Sequence, residues 1–394
     1  MTTFFNFNLF DGKNNQIQSD AWFTIDDQTG KITDQGTGSA PKDNNSIDLD
    51  GKYVMPGLIN VHTHITSNPR TFDGNPGDSE TEAAVTAYQN LQTMLKSGVT
   101  FIRECGTSYD VDIKLNRLRE QGSLKKTPEM MPSGMAYSMT GGHGDSPHFG
   151  HRVDSPDEMR KAVRQGLKIG AQNIKMMATG GVMTPGDFMA DPQLSVEEMK
   201  AGIDEAHHKG KIVAAHAEGN PGIQNAIDAG VDSIEHGFYI NEEEAKKMIH
   251  HGQYLTPTII ALWAIPEYGK GKLPDWEVKK ADDACEDAYR NLSKAFKLGV
   301  KFTLGTDAGT PYNGFDTTPK ELELMTEKLG ITPFEAYQCS SINAATLCQI
   351  QDEYGTLEKD KYADFQVLNA DPLADVKALQ QDDKQIFLHG KREF

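Results

Sequence analysis

The sequence predicts an α/β fold, a (β/α)8 TIM barrel with a small β-sandwich subdomain formed by the N- and C-terminal segments. From residue 56 onward, short apolar runs alternate with amphipathic helical stretches, which is typical of parallel strands joined by helices. Both ends of the chain instead show short runs separated by turn residues, which is typical of a small sheet. A doubly wound open sheet is the alternative, but no GxGxxG motif follows a first strand.

The two ends of the chain are expected to form one composite β subdomain. Residues 1–55 supply its N-terminal part, residues 56–350 form the barrel, and residues 351–394 supply its C-terminal part. Alternating or β-type residues predict strands at 5–10, 22–25, 31–33, 46–52, 354–357, 363–368 and 385–390.

The barrel region contains eight strand candidates, which lie near 58–63, 99–104, 133–138, 172–177, 211–216, 232–236, 254–259 and 301–306. Helical patterns lie at 80–96, 156–169, 195–209, 220–229, 241–250, 277–298 and 333–349. Ser195 followed by Glu198 is typical of a capping box, and Gly210 marks the end of that helix. Eight strands with intervening helices over this length suit a barrel.

Composition excludes several classes of protein. The 394 residues carry a net charge of −18, which argues against nucleic acid or anionic membrane as a partner. No apolar run has transmembrane length, and no basic region precedes an apolar core at the N-terminus. Four cysteines without CxxC spacing give neither a zinc ribbon nor a disulfide framework. We therefore expect a soluble cytoplasmic protein.

Candidate chemistry begins where an apolar run ends in His62-Thr63-His64. Residues i and i+2 of a strand point to one face, so both imidazoles can reach one metal ion. Further titratable residues lie on or at the ends of later predicted strands, namely Lys175, His216, His236 and Asp307. The carboxyl ends of barrel strands meet at one rim, so these side chains are expected to converge. Singly, each has a structural alternative, such as a hydrogen-bonded histidine, a helix cap at Asp307 or a solvent-reaching lysine.

Together these features resemble the amidohydrolase superfamily: HTH after Pro-Gly-Leu-Ile, a lysine on the fourth strand, histidines closing the fifth and sixth, and Gly-Thr-Asp-Ala-Gly on the eighth. The resemblance covers nearly the whole chain, including residues 361–365. Within the superfamily, residues 140–145, 174–181 and 233–237 are similar to a binuclear-zinc subgroup. That subgroup contains Xaa-Pro and Xaa-Arg dipeptidases and ochratoxin-type amidases.

The resemblance implies a hydrolase for the amide (peptide) bond of a dipeptide or an N-acyl amino acid. It implies two divalent ions, with Zn²⁺ expected and Mn²⁺, Co²⁺ or Fe²⁺ also suited to such ligands. The implied ligands are His62, His64 and Asp307 for one ion, His216 and His236 for the other, and a carboxylated Lys175 as the bridge. A metal-bridging hydroxide would attack the carbonyl, and Asp307 would pass the proton to the departing amine.

For the substrate, the resemblance points to His143, which would hydrogen-bond the carbonyl oxygen, and to Tyr239, which would bind an α-carboxylate. His148 and His151 share a loop with His143 and are alternatives to it. Arg103 is a candidate anchor for a substrate carboxylate or a structural ion-pair partner of Glu104, and the structural interpretation is favoured. A small-molecule substrate is the expected partner, and a homo-oligomer is an open alternative to a monomer.

Substrate selectivity is expected in the loops 66–79, 140–155, 184–194 and 309–318. Three acidic residues in these loops are candidates for binding a cationic side chain, but solvation of the surface is the favoured interpretation: Asp187, Asp191 and Asp316.

Two other functions are kept open. A cyclic amide hydrolase of the imidazolonepropionase type is the alternative enzyme. A catalytically dead scaffold on the same fold is the non-enzymatic alternative, and the complete set of candidate ligands argues against it.

Overall fold

The computed structural model describes residues 1–41, 45–70, 79–182 and 187–394. Its strands are β1 (Thr2–Leu9), β2 (Gln18–Ile25), β3 (Ile32–Thr37), β4 (Ser46–Asp48), β5 (Tyr53–Pro56), β6 (Leu58–Thr63), β7 (Val99–Glu104), β8 (Glu129–Met131), β9 (Ala136–Ser138), β10 (Gly150–Arg152), β11 (Asn173–Met177), β12 (Ile212–Ala217), β13 (Ser233–His236), β14 (Tyr254–Thr256), β15 (Lys301–Phe302), β16 (Phe365–Leu368), β17 (Gln385–Leu388) and β18 (Lys391–Arg392).

Its α-helices are α1 (Glu80–Ser97), α2 (Val111–Glu120), α3 (Pro156–Ile169), α4 (Val196–His207), α5 (Gly222–Ala229), α6 (Glu242–His251), α7 (Ile259–Tyr268), α8 (Asp275–Leu298), α9 (Thr318–Leu329), α10 (Pro333–Ser340) and α11 (Ile342–Leu347). No helix in the described parts of the chain combines the length and the hydropathy that crossing a bilayer requires.

The two chain ends form one sheet, as expected. Its strand order is β18-β17-β16-β5-β1-β2-β3, and β4 lies beside β1. Phenylalanines from four of these strands pack into a single buried cluster, which contains Phe4, Phe23, Phe365 and Phe387. The Phe4 ring lies 5.3 Å from both Phe365 and Phe387 in edge-to-face contacts, a preferred geometry for aromatic pairs. This cluster joins the N-terminal strands to the C-terminal ones.

The central residues form the predicted barrel. Strands β6, β7 and β8 pair in parallel, and β10, β9, β11, β12, β13, β14 and β15 form the second group. Backbone bonds from Val61 N to Leu304 O (2.8 Å) and from His64 N to Ala308 O (3.0 Å) join the last strand segment to β6. The fold class predicted from the sequence, a (β/α)8 barrel with a composite β-sandwich subdomain, is therefore confirmed.

Several element boundaries differ from the predictions. Residues 354–357 form a turn instead of a strand. Tyr354 N bonds to the nearby Ile350 carbonyl, and Leu357 N bonds to the carbonyl of Asp11 in the N-terminal segment. The helix predicted at 333–349 is broken at Ser341, whose φ of −125° and ψ of −95° are not helical. The third barrel position holds two short strands, β8 and β9, instead of one.

Three helices were missed: α2, α7 and α9. Helix α7 is the clearest case, because its segment IIALWAIPEY has apolar residues on every face and six of them are buried. Such a helix lacks the one-sided pattern that identifies amphipathic helices. The strand predicted at 254–259 consequently ends at Thr256, and α7 begins at Ile259.

Candidate active site

The carboxyl ends of the barrel strands surround a cavity of about 450 Å³. Its lining includes all six metal-ligand candidates from the sequence, namely His62, His64, Lys175, His216, His236 and Asp307. A cavity of this size falls within the range of small-molecule sites. The six side chains are called the ligand cluster below.

His62 lies on β6 and His64 directly follows this strand, and both side chains contact one carboxylate oxygen. Asp307 Oδ1 lies 3.2 Å from His62 Nε2 and 3.0 Å from His64 Nε2. Asp307 has a φ of 57° and His236 a φ of 71°, in the left-handed region that is costly for residues with a side chain. Strained backbone at two members of the cluster is typical of a functional site.

Lys175 and His236 contact His62, and His216 contacts His236. Lys175 is 1% exposed, and its Nζ lies 3.3 Å from His62 Nε2. The His236 ring lies 5.0 Å from the His62 ring and 4.6 Å from the His216 ring, measured between centroids. Lysine in β11 therefore points into the barrel and not to solvent.

Hydrogen bonds on the outer side orient three of the imidazoles. Nδ1 of His62 donates to Glu235 Oε2 (2.8 Å), and Nδ1 of His64 donates to the carbonyl of Gly106 (2.9 Å). His216 uses the other nitrogen, because its Nε2 donates to the Gly180 carbonyl (3.0 Å). Since these acceptors have no proton to give, the second nitrogen of each ring keeps its lone pair for the cluster.

Burial also favours the neutral form of the imidazoles of His62, His216 and His236. It lowers the pKa of His62, and it lowers the pKa of His216 and of His236 well below the ordinary value. Neutral imidazole is the form that binds metal ions. Neutral imidazoles, one carboxylate and a buried lysine suit divalent metal ions, and His62, His64 and Asp307 can meet at a single ion.

Arg103 lies behind the cluster, and its predicted pairing with Glu104 is wrong. Its Nη2 donates to Glu235 Oε1 (2.6 Å), and its Nη1 donates to the hydroxyl of Ser233 (2.8 Å). Glu104 instead accepts a bond from the Thr63 hydroxyl. Arg103 and Glu104 are successive residues of β7, so their side chains point to opposite faces of the sheet. Arg103 therefore reaches across the barrel to β13, and Glu104 does not.

His143 lines the cavity, and an aspartate holds it. The His143 ring stacks on the His216 ring at 4.2 Å, and its Nδ1 lies 3.3 Å from Asp187 Oδ2. Asp187 is only 9% exposed, so the interpretation of this residue as a solvated surface charge is wrong. The alternatives His148 and His151 are stacked on Tyr109 and Tyr137, and neither is among the described residues that line the cavity.

Tyr239 lies near the site without lining the cavity in the described parts of the chain. Its backbone N donates to the carbonyl of Glu218 (2.9 Å), and its side chain is half-buried. Parts of two predicted selectivity loops, residues 71–78 and 184–186, lie outside the described residues.

Sequence reasoning missed two carboxylates of the site. Glu218 follows β12 and lines the cavity, while Glu235 on β13 is fully buried against His62. A signal for Glu218 was present, because it lies two residues after His216, the same spacing that identified His62 and His64. Glu235 gave no comparable signal, because its partners come from other strands.

The chain is similar to known proteins both in sequence and in fold. The sequence profile described as the amidohydrolase family matches residues 53–392. Ochratoxinase from Aspergillus niger is 31% identical over 366 residues, which cover 83% of this chain and 72% of that protein. The crystal structure of a Xaa-Pro dipeptidase with bound methionine in the active site has a TM-score of 0.90, 32% identity and 99% coverage of both chains.

A more distant relative is imidazolonepropionase from Rhizobium rhizogenes. It is 25% identical over 386 residues, which cover 88% of this chain and 86% of that protein. The family match spans both the barrel and most of the composite sheet, and the resemblance inferred from the sequence is confirmed. The chain belongs to the amidohydrolase family.

Proposed function

We propose that this protein is a binuclear metal-dependent amidohydrolase that cleaves the amide (peptide) bond of a dipeptide or an N-acyl amino acid. One observation carries the proposal: four imidazoles, one carboxylate and one buried lysine converge beneath a single cavity. The likeness to a Xaa-Pro dipeptidase and to ochratoxinase supports this substrate class.

The ligand cluster suits two ions, and Zn²⁺ is the proposed metal. His62, His64 and Asp307 are assigned to one ion, and His216 and His236 to the other. Lys175 is the proposed bridge in its carboxylated form, because an ammonium group among dications would be repelled and a carbamate would not. When bound, such ions polarise a carbonyl group and lower the pKa of a water molecule to near neutrality.

The chain's own residues would move the proton and hold the substrate. Asp307 is the proposed base, which accepts the proton of the attacking water and then passes it to the departing amine. His143 is positioned by Asp187 to donate a hydrogen bond to the scissile carbonyl oxygen. Tyr239 is the proposed contact for the substrate α-carboxylate, and the variant Tyr239→Phe tests this role.

The second candidate is a cyclic amide hydrolase. The similarity to imidazolonepropionase favours it, and the same cluster would serve ring opening. We also propose a cytoplasmic location, which is supported by the four cysteines, all free and buried: Cys105, Cys285, Cys339 and Cys348.

Metal analysis combined with a turnover screen tests the function. The purified protein should contain two metal ions per chain and hydrolyse members of a panel of Xaa-Pro dipeptides, other dipeptides and N-acyl amino acids. Faster turnover of cyclic imides than of every member of that panel would favour the second candidate. Absence of both metal and turnover would favour the scaffold alternative.

Substitution of Asp307 tests the assigned mechanism. The variant Asp307→Asn should lower kcat by about a hundredfold or more, because the proton carrier is lost. The matched control is Asp316→Asn, which removes an exposed carboxylate from the same loop region and should leave kcat near the wild-type value. Full activity of the Asp307→Asn variant would contradict the mechanism.

A further inference from the structure

The cavity contains one buried carboxylate that the proposed mechanism does not use. Glu218 is 5% exposed and lines the cavity directly after β12. Its Oε2 is buried and has no hydrogen-bond partner among the described residues. A buried acceptor without a donor costs free energy, so such groups call for an explanation.

The other carboxylates that line the cavity already have partners. Asp307 Oδ1 converges with Nε2 of His62 and Nε2 of His64 on the proposed position of the first ion. Asp145 accepts a bond from Arg152 (2.5 Å) and another from the backbone N of Gly141 (2.8 Å). Among the described residues that line the cavity, Glu218 is therefore the carboxylate with an oxygen that lacks a hydrogen-bond partner, and that oxygen suits a cationic ligand.

The position of Glu218 is fixed by its own backbone. Its N donates to the Thr179 hydroxyl (3.1 Å), and its carbonyl accepts a bond from Tyr239 N (2.9 Å). A carboxylate oxygen of Glu218 and ring nitrogens of His216 and His236 all lie within 4.8 Å of one another. The carboxylate is thus held beside the ligand cluster, where the scissile carbonyl is expected to bind.

We propose that Glu218 binds the free α-ammonium group of the substrate, which makes unblocked dipeptides the preferred substrate class over N-acyl amino acids. The inference rests on the proposed function. In a dipeptide, the α-nitrogen is two bonds from the scissile carbonyl carbon, a distance of about 2.5 Å. An ammonium group so close to the reacting carbonyl must lie near the ligand cluster, where Glu218 Oε2 can accept a hydrogen bond from it.

A basic side chain on the substrate fits this carboxylate less well. Its charge is several bonds farther from the carbonyl, and the cavity lining offers apolar side chains to that part of the substrate, among them Phe238, Leu262 and Ile265. A simple N-acyl amino acid has no α-ammonium group beside its scissile carbonyl, and an N-formyl dipeptide has a neutral amide there, so either would leave Glu218 Oε2 without a cationic partner.

The test compares a dipeptide that the wild type hydrolyses with the N-formyl derivative of the same dipeptide. The wild type should show a higher kcat/KM for the free dipeptide. Glu218→Gln should lower the ratio of kcat/KM for the free dipeptide to kcat/KM for the N-formyl derivative by about tenfold or more, because a hydrogen bond between charged groups is lost. The loss should lie mainly in KM, and the metal content should stay at the wild-type value.

The matched control is Glu277→Gln. Glu277 is also fully buried with unpartnered carboxylate oxygens, but it lies on α8 and is not among the residues that line the cavity. This variant should keep the wild-type ratio, which separates a substrate contact from a general effect of removing a buried charge.

Three outcomes would overturn the inference. An unchanged ratio in the Glu218→Gln variant would show that Glu218 does not contact the ammonium group of the substrate. Equal loss of both activities together with loss of metal would show that Glu218 is a metal ligand instead. Preference of the wild type for the N-formyl compound would reject the inference while amide hydrolysis stands, whereas hydrolysis of neither compound class in the initial screen would reject the proposed function itself.

Discussion

At the scale of single residues, a buried chain of hydrogen bonds supports the ligand cluster from behind. Arg103 and Glu235 are both fully buried, and one carboxylate oxygen of Glu235 accepts from the guanidinium while the other accepts from His62 Nδ1. The Arg103 charge holds the pKa of Glu235 well below its usual range against the opposing effect of burial. The ionised carboxylate thereby keeps the proton of His62 on Nδ1 and leaves Nε2 free for a metal ion.

Glu235→Gln should weaken metal affinity by about 10- to 100-fold. The amide group can present an N–H to His62 Nδ1, which favours the tautomer with the proton on Nε2. Affinity is measured by competition with a chromophoric chelator. The control is Glu244→Gln, which changes a buried capping glutamate of α6 that lies outside the cavity lining. Equal metal affinities of the Glu235→Gln and Glu244→Gln variants would contradict the role of Glu235 in positioning His62.

At the scale of elements, β6 connects the composite sheet to the site. Strand β5 pairs with β16 in the composite sheet, and Gly57 N then bonds to the Asp364 carbonyl (2.9 Å) before β6 enters the barrel. A Cβ atom at Gly57 would lie 2.2 Å from Thr100 Oγ1 and 2.3 Å from its Cγ2. Glycine is thus required here by the close approach of β7, and it sets the position from which β6 carries His62 and His64.

Gly57→Ala should lower the thermal midpoint and the metal affinity together, because β6 or β7 must move to remove the overlap. Both quantities are measured on the same preparations by calorimetry and by chelator competition. Adding Thr100→Ala should restore part of both losses, since it removes the two closest atoms and keeps the Cβ at 2.8 Å. No recovery in the double variant would show that the clash is not the cause.

At the scale of the whole molecule, the ligand cluster joins distant parts of the chain. Its members come from β6, β11, β12, β13 and the segment after β15, which together span most of the barrel. Bound ions would therefore hold strands together that the sequence separates by more than two hundred residues. Ligands that bind only the folded state stabilise it by mass action.

Removal of metal should lower the thermal midpoint of the protein and abolish its activity. An ion present at a thousand times its dissociation constant stabilises the folded state by about 4 kcal/mol. Thermal unfolding is compared before and after treatment with a chelator, and again after addition of Zn²⁺. The same chelator saturated with zinc serves as the control. Identical midpoints in all samples would contradict a role for metal in the fold.

The barrel and the candidate ligands could be predicted from the sequence, because both depend on short-range patterns. Alternating strands and helices, the i and i+2 spacing of His62 and His64, and single titratable residues at strand ends are all visible in a linear chain. Helix α7 was not predicted, because a helix with apolar residues on every face lacks the one-sided pattern of an amphipathic helix.

Only the tertiary structure decided which groups support those ligands and which remain free. The pairing of Arg103 with Glu235, the contact of Asp187 with His143 and the uncommitted oxygen of Glu218 all depend on packing between distant strands. Burial removes water as a competing partner, so each buried polar group must be satisfied by whichever group the fold places beside it. The partner of a buried polar group cannot be predicted from the local sequence, because the two groups are brought together only when the barrel closes.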